Sequence, residues 1–402
     1  MNPADPLSDF SAFQPLLDRP IEDKLRDFQR EQRLKHLICA AQLKPDLLTR
    51  LGRLADMIRR MARERESNLA LRQLLSHKRA MLYFTQPSTR TFLSFMAACQ
   101  ILGITCNEVR DPKTSSEIKR ESHMDSIRMF SSYFDVIIMR SPIANFAECC
   151  AYMMNRQESQ EMRSVPTINA GSGSDEHPTQ ALLDFYTIQR SFSFDAEGTP
   201  AESRLKTLRQ SYPELQSGPA GKTYLFCGDI GRGRTVRSLA TVLAQYSSQR
   251  MIFVSPDHAV LGLDPVLRSR LVSAGVSVHE FNSLDAKLNG HSILSQTDCL
   301  YMTRIQREHN SAADSKEMAE LDLSPFQLTQ QRVGQLKEFS PIMHPFPRDS
   351  VVQELPTQID SDPRVMYFRQ ARNGMWARAA LLVHLLDASE GLFMAYRRFF
   401  RD

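Results

Sequence analysis

Short apolar runs alternate along this chain with stretches whose apolar residues return every third or fourth position. "AMLYF", "DVIIMR" and "VPTINA" have the length of buried strands, and helix-like sequence follows each. A second series begins near residue 222 with "KTYLFCGDI" and runs on through "RMIFVSP", "VSVHEF", "DCLYMTR" and "SPIMHPF". Strands alternating with helices predict α/β architecture built on parallel sheets. Ahead of the first series, Leu47, Leu48, Leu51, Leu54, Ala55, Ile58 and Met61 mark one face of a helix that starts after Pro45. Between the two series, "SFSFDAEGTPAESRLKTLRQSYPELQSGPA" reads as a surface insertion near a domain boundary. Residues 1–40 are polar and punctuated by proline. Their charged segment "EDKLRDFQREQRLKH" reads as a solvated helix, with a partner-binding arm as the alternative.

Composition narrows the classes. A length of 402 residues favours two domains over one core. The hydrophobic share of 42% and charged share of 24% are ordinary for a soluble globular protein. A net charge of +4 is too small and dispersed to suggest a nucleic-acid surface. No apolar run is long enough to span a membrane, and the N-terminus lacks a signal-peptide profile. Seven cysteines without ligand spacing suggest reduced thiols and a cytoplasmic location, with Cys149 and Cys150 as core residues.

In parallel α/β sheets ligands collect beyond the carboxyl ends of the strands, so the residues after each apolar run carry the chemistry. After "AMLYF" come Ser88, Thr89, Arg90 and Thr91, opening a helix with Leu93, Met96, Ala97 and Ile101 on one side and Gly103 at its end. A helix N-terminus with hydroxyls and a guanidinium suits a phosphate group; a plain Ser/Thr cap is the simpler possibility. "DVIIMR" ends on Arg140. "VPTINA" leads into "GSGSDEHPTQ", where His177 and Gln180 lie three apart at a helix start. In "CGDIGRGRTVRSLA" the glycines at 228, 231 and 233 have the wrong spacing for a dinucleotide loop, which makes an oxidoreductase remote. Arg234 there is placed for a carboxylate, and after "CLYMT" Arg304 and Gln306 lie two apart, so both point the same way if the backbone stays extended. Pro345 and Pro347 stiffen a loop whose carbonyls cannot join a ladder. The polar stretch "DPKTSSEIKRES", with Ser115 and Lys119, reads by itself as a solvated loop. Cations and hydroxyls without carboxylate pairs or a metal-ligand cluster make a binding set for polyanionic small molecules, acting by positioning and by stabilising negative charge.

Together "QPSTRTFLSF", "TSSEIKRES", "IIMRSP", "NAGSGSDEHPTQALLDFYTI", "GRTVRSLA", "YMTRIQRE", "MHPFPR" and "YFRQARNGMWARAALL" resemble, in order, the motifs of the carbamoyltransferase family across residues 45–390. The resemblance implies two doubly wound parallel-sheet domains. They are a carbamoyl-phosphate domain at 41–185 and an aspartate domain at 186–370 with the insertion near 191–220. A C-terminal helix, 371–402, would return to the first domain, and residues 1–40 would be an extension. It implies no cofactor. Ser88, Thr89 and Arg90 would hold the phosphate, with Arg140 bridging phosphate and carbonyl, and Thr91, Arg140 and His177 would polarise the carbamoyl carbonyl. Gln180 and the carbonyls of Pro345 and Phe346 would hold the carbamoyl nitrogen. Arg304-x-Gln306 and His-Pro-Phe-Pro-Arg resemble the aspartate-using branch, with Arg234, Arg304 and Gln306 on the L-aspartate carboxylates. Ser115 and Lys119 would reach a neighbouring subunit's site, implying a homotrimer with shared sites and room for a larger assembly.

Several positions depart from the family pattern: Gln86 for Glu, Ser172 for Asp, Glu176 for Gln, His309 for Arg, Phe346 for Leu, and Arg372 for a small residue. Gln86 and His309 remove two charges associated with domain closure. The alternatives these leave are a carbamoyltransferase for another amino acid and a catalytically silent homologue that scaffolds partners. An ornithine side chain would meet unneutralised arginine, which disfavours the first.

Overall fold

In the computed structural model the described residues are 8–400 apart from 32, 111–120, 162, 164, 174–175, 194–206, 214 and 307–320. Ser115, Lys119 and His309 therefore lie outside the described residues, as does part of the 191–220 insertion. Two units divide the chain, Met1–Leu183 with Arg372–Asp402, and Asp184–Ala371.

The first unit holds four parallel strands: β1 (Arg79–Phe84), β2 (Thr105–Val109), β3 (Val136–Arg140) and β4 (Thr167–Asn169), in the order β2-β1-β3-β4. Residues 80–84 of β1 are all buried, as expected of a central strand covered on both faces, whereas edge strand β2 buries none of its five. Helix α1 (Pro45–Met61) begins with proline at its first position and buries Leu48, Leu51, Leu54, Ala55, Ile58 and Met61. Next come α2 (Arg65–Leu74), α3 (Thr89–Leu102), α4 (His123–Tyr133) and α5 (Phe146–Glu161).

Helix α3 corrects one expectation. Its buried face is Thr91, Phe92, Phe95, Ala98, Cys99 and Leu102, while Leu93 is 56% exposed. The helix is apolar almost all round, so periodicity alone did not select the stripe; the two phenylalanines take the inward side because they bury the most area. Gly103 ends it at φ +79°, where an added Cβ would lie 1.8 Å from the Arg72 carbonyl oxygen.

The N-terminal segment also differs from a free solvated arm. The charged helix Ile21–Asp27 buries none of its residues, but Phe10, Phe13 and Phe28 flanking it are buried in one cluster with Phe146, Cys149, Cys150 and Tyr152. Phe10 meets Phe146 edge-on at 5.6 Å, Phe28 lies 5.0 Å from Tyr152, and Lys24 pairs with Glu148 on α5 at 2.8 Å. Burying each phenylalanine contributes about 2 kcal/mol, enough to hold the segment down.

The second unit carries β5 (Thr223–Cys227), β6 (Arg250–Val254), β7 (Ser277–Phe281), β8 (Cys299–Met302) and β9 (Ile342–Met343), all parallel, in the order β9-β8-β5-β6-β7. Helices α7 (Arg234–Leu243) and α8 (Pro265–Ser273) follow β5 and β6. Two helices cross the division along the chain, α6 (Pro178–Ser191) and α9 (Tyr367–Leu385). The final helix, α10 (Ser389–Phe399), packs on α1 and α2 of the first unit.

Two buried histidines fasten the segment that enters β4's edge. His36 accepts the Thr167 backbone N–H through Nδ1 at 2.9 Å and faces Asn155 Oδ1 through Nε2, and His384 Nε2 accepts the Leu34 N–H. Burial pushes their pKa down, His36 to about 3 and His384 to about 4. Both must stay neutral in the fold, so from about pH 6.5 downward the unfolded chain binds protons that the folded chain refuses. Stability should be level above that pH and fall as pH drops towards 4, by about 1.4 kcal/mol per pH unit for each histidine. Urea unfolding of the wild type and His384→Gln between pH 7 and 5 checks this. Equal acid slopes in the two proteins would refute it.

Candidate active site

In the first unit, strand order reverses beside β1, because β2 lies to one side and β3 to the other. Loops after β1 and β3 therefore diverge, and the crevice between them is the favoured ligand position. The candidate residues of this unit sit there. The last residue of β1, Phe84, is in register with Arg140 at the end of β3, and just beyond it the Gln86 N–H donates to the Arg140 carbonyl at 3.1 Å. That bond uses only backbone atoms, so glutamine at 86 leaves the turn's frame independent of its side chain.

Ser88 occupies the N-cap of α3 in an extended conformation without a side-chain capping bond. A plain cap would use that hydroxyl as an acceptor of a backbone N–H; its O–H is instead suited to donate to an anion at the helix start, which favours the anion-site interpretation. Thr89 and Arg90 are exposed at the first turn, and Thr91 behind them is buried. Arg140 is half-buried and donates from Nη1 to the Ala170 carbonyl at 3.3 Å. His177 is 4% exposed, with Nδ1 3.4 Å from Thr179 Oγ1, and its carbonyl accepts the Gln180 and Ala181 N–H groups as α6 starts.

The loop between β4 and α6 brings Arg140 and His177 together. A Cβ on Gly171, at φ +101°, would lie 2.8 Å from His177 Cδ2 and 2.9 Å from Arg140 Nη1. Only glycine fits between these two side chains. Asn169, missed by the sequence analysis, shapes the loop. Buried at the end of β4, it accepts the Gly171 and Ser172 N–H groups on Oδ1, each at 2.9 Å, and donates to the Ile38 and Glu176 carbonyls. Ser172, the departure from aspartate, accepts the Ser141 N–H through Oγ at 3.1 Å. Glu176 turns its carboxylate onto the Ala40 N–H, so its charge is engaged there. Arg372 is exposed.

In the second unit the reversal lies between β5 and β8. Gly228 after β5, at φ +117°, would place a Cβ 2.1 Å from the Thr303 carbonyl oxygen, so the strand ends approach as closely as glycine permits. Arg234 opens α7 and Arg304 follows β8, both half-buried. The turn after β5 is tied to the segment after β8 by Asp229, fully buried and also missed by the sequence analysis. Its carboxylate accepts from Arg232 Nε and Nη2 at 3.0 and 2.7 Å and from the Gln306 backbone N–H at 3.0 Å. Arg232 thus neutralises the acid locally, and the acid holds Gln306's backbone in place. A carboxylate inside a glycine turn, three residues from an arginine, was the available signal. Pro345 and Phe346, half-buried, follow β9 with Phe346 at φ +57°.

Residues 35–190 match the model of the "Aspartate/ornithine carbamoyltransferase, carbamoyl-P binding domain", and residues 220–385 match that of the "Asp/Orn binding domain". The aspartate carbamoyltransferase catalytic subunit of Vibrio cholerae is 33% identical over 88% of this chain and 97% of its own. The chloroplastic aspartate carbamoyltransferase of Arabidopsis thaliana is 34% identical over 84% of this chain and 74% of its own. The structure of aspartate transcarbamoylase from Trypanosoma cruzi in complex with carbamoyl phosphate and aspartate is similar with a TM-score of 0.70. It is 30% identical, over 86% of this chain and 95% of that one.

Gly171→Ala should push Arg140 and His177 apart and weaken binding of phosphonoacetamide, a phosphonate that carries an amide carbonyl, about tenfold, about 1.4 kcal/mol. Gly262→Ala, whose Cβ would meet nothing within 4 Å, should leave it unchanged. Calorimetric titration of both variants decides the matter. Equal affinities would mean that Gly171 does not serve the pair.

Proposed function

Because the chain belongs to the aspartate/ornithine carbamoyltransferase family, we propose that it transfers the carbamoyl group of carbamoyl phosphate to the amine of L-aspartate. The products are N-carbamoyl-L-aspartate and phosphate, a step of pyrimidine biosynthesis. The observation that carries this reading is the placement of Thr91, Arg140 and His177 around the switch point of the first sheet, with Arg140 and His177 separated only by Gly171.

Ser88, Thr89 and Arg90 hold the phosphate with the N–H groups of the first turn of α3 and its dipole. Arg140, Thr91 and His177 face the carbamoyl oxygen. Gln180 and the Pro345 and Phe346 carbonyls accept from the carbamoyl nitrogen. Arg234, Arg304 and Gln306 take the aspartate carboxylates, for which a guanidinium fork is the natural partner. The amine lone pair then attacks the carbamoyl carbon, and the carbonyl oxygen gains negative charge in a tetrahedral intermediate. The donors that face it are worth most at that stage. Collapse breaks the bond from carbon to phosphate oxygen, and the departing phosphate takes the amine proton. Two anionic substrates explain the number of cations, since repulsion and desolvation must both be offset.

We place the enzyme in the cytoplasm as a homotrimer with shared sites, to which Ser115 and Lys119 of a neighbouring subunit contribute. Seven free cysteines support a reducing compartment, and no described helix is long and apolar enough to cross a membrane. The exposed Leu93 on α3, with Met129 and Tyr133 on α4, supplies apolar surface suited to a subunit contact.

Purified protein given carbamoyl phosphate should carbamoylate aspartate and leave ornithine unchanged. Arg90→Ala should lower kcat/KM for carbamoyl phosphate by about a hundredfold, the loss of one charge-assisted contact of about 3 kcal/mol. Absence of product from either amino acid would refute the reaction, and full activity in Arg90→Ala would refute the site. For the assembly, native mass spectrometry should find three chains; a stable single chain would exclude the trimer.

A further inference from the structure

The loop after β9 is supported by more buried polar machinery than its own half-exposed position requires. His344 is 1% exposed and Glu354 3%. Through Nδ1 the imidazole accepts the Phe346 backbone N–H at 2.8 Å, and its Nε2 lies 3.0 Å from a Glu354 carboxylate oxygen. An acceptor role at Nδ1 leaves the ring proton on Nε2, the nitrogen beside the carboxylate, whose negative charge favours the proton on that side. Glu354 is itself fixed, because both its oxygens lie 3.1 Å from the Asp349 N–H. The His344 backbone N–H donates to Gln370 Oε1 at 2.9 Å, and Gln370 Nε2 donates to fully buried Asp184 at 2.6 Å. Beyond the loop, Arg348 forks onto Asp360 at 2.7 and 3.2 Å.

One covalent fact gives this arrangement a purpose. In a trans peptide the N–H and the preceding C=O point in opposite directions. The Pro345–Phe346 bond is trans. Anchoring the Phe346 N–H on the buried imidazole therefore turns the Pro345 carbonyl outward, away from the ring. The anchor also holds Phe346 at φ +57°, a conformation a bulky aromatic residue adopts only when its surroundings impose it. A ring carrying its proton on Nδ1 would oppose the Phe346 N–H, donor against donor, and release the peptide.

We infer that His344, kept in its Nε2-protonated form by Glu354, is a positioning residue that aims the Pro345 carbonyl at the amino group of the carbamoyl donor. The inference rests on the assignment of that carbonyl made above and adds the device that sets its direction. It makes the pair responsible for distinguishing an amide from an isosteric methyl ketone, which has no proton to donate to the carbonyl.

The test compares two stable phosphonates, phosphonoacetamide and phosphonoacetone, by calorimetric titration without aspartate. Wild type should bind the amide about tenfold more tightly, the ratio one neutral hydrogen bond supplies. In His344→Leu that ratio should fall to about twofold while affinity for the methyl ketone is unchanged. His344→Asn, whose side-chain oxygen can accept the Phe346 N–H, should restore it. Wild type binding both equally, His344→Leu keeping the tenfold ratio, or His344→Asn losing as much as His344→Leu would each overturn the inference. If His344→Leu fails to fold, Glu354→Gln carries the test. Its amide NH₂ would face Nε2, draw the ring proton to Nδ1 and lower the ratio; an unchanged ratio overturns the inference. Product assayed from wild type in parallel separates the two claims. Turnover of aspartate alongside an unaffected ratio in His344→Leu removes the inference and leaves the reaction. A lost ratio without turnover in wild type does the reverse.

Discussion

The candidate ligand contacts on the described residues depend on one constraint of parallel sheets. A strand whose neighbours are reached by crossovers in opposite directions leaves its carboxyl end open, and backbone groups there have no ladder to join. The chain meets that condition at β1 and again at β5. Around β1 the opening is furnished by the first turn of α3 together with Arg140 and His177. Around β5 it is furnished by Arg234, Arg304 and Gln306. Elsewhere the central strands are closed by apolar cover on both faces.

The loops that carry the candidate site residues are held by buried polar residues that serve as local frames. Asn169 ties the glycine loop to the end of β4, Asp229 ties the Gln306 backbone to the turn after β5, and His344 ties the Phe346 peptide to Glu354. Each accepts backbone N–H groups in loops, where no ladder can. Leaving such a donor buried and unpaired costs about 1–3 kcal/mol, so each frame is stabilised as strongly as many core contacts.

Most of the fold is legible in the sequence, because short continuous apolar runs such as "AMLYF" and "KTYLFC", each followed by turn residues, fit strands buried on both faces. The positions of Thr91, Arg140 and His177 were legible for the same reason, since each follows such a run. Asn169 and Asp229 were not, because a hydrogen-bonding frame has no periodicity and a single Asn or Asp after a strand is commonplace. The inward face of α3 was misjudged for a complementary reason. Leu93 and Phe92 are equally apolar, and only the sheet beneath them decides which turns in. The N-terminal segment hid its anchors in a charged context: Phe10, Phe13 and Phe28 are spaced by neither helical nor strand periods, and only packing on α5 brings them together.

That packing gives the chain a chemical reporter. Cys149 and Cys150 lie fully buried in the same cluster as those three phenylalanines, and burial drives the Cys150 thiol well above its ordinary pKa. Neither sulfur presents a thiolate to solvent while the aromatic clasp stays shut. Their rate of alkylation therefore measures how often the clasp lifts, and adjacent cysteines record each opening in duplicate.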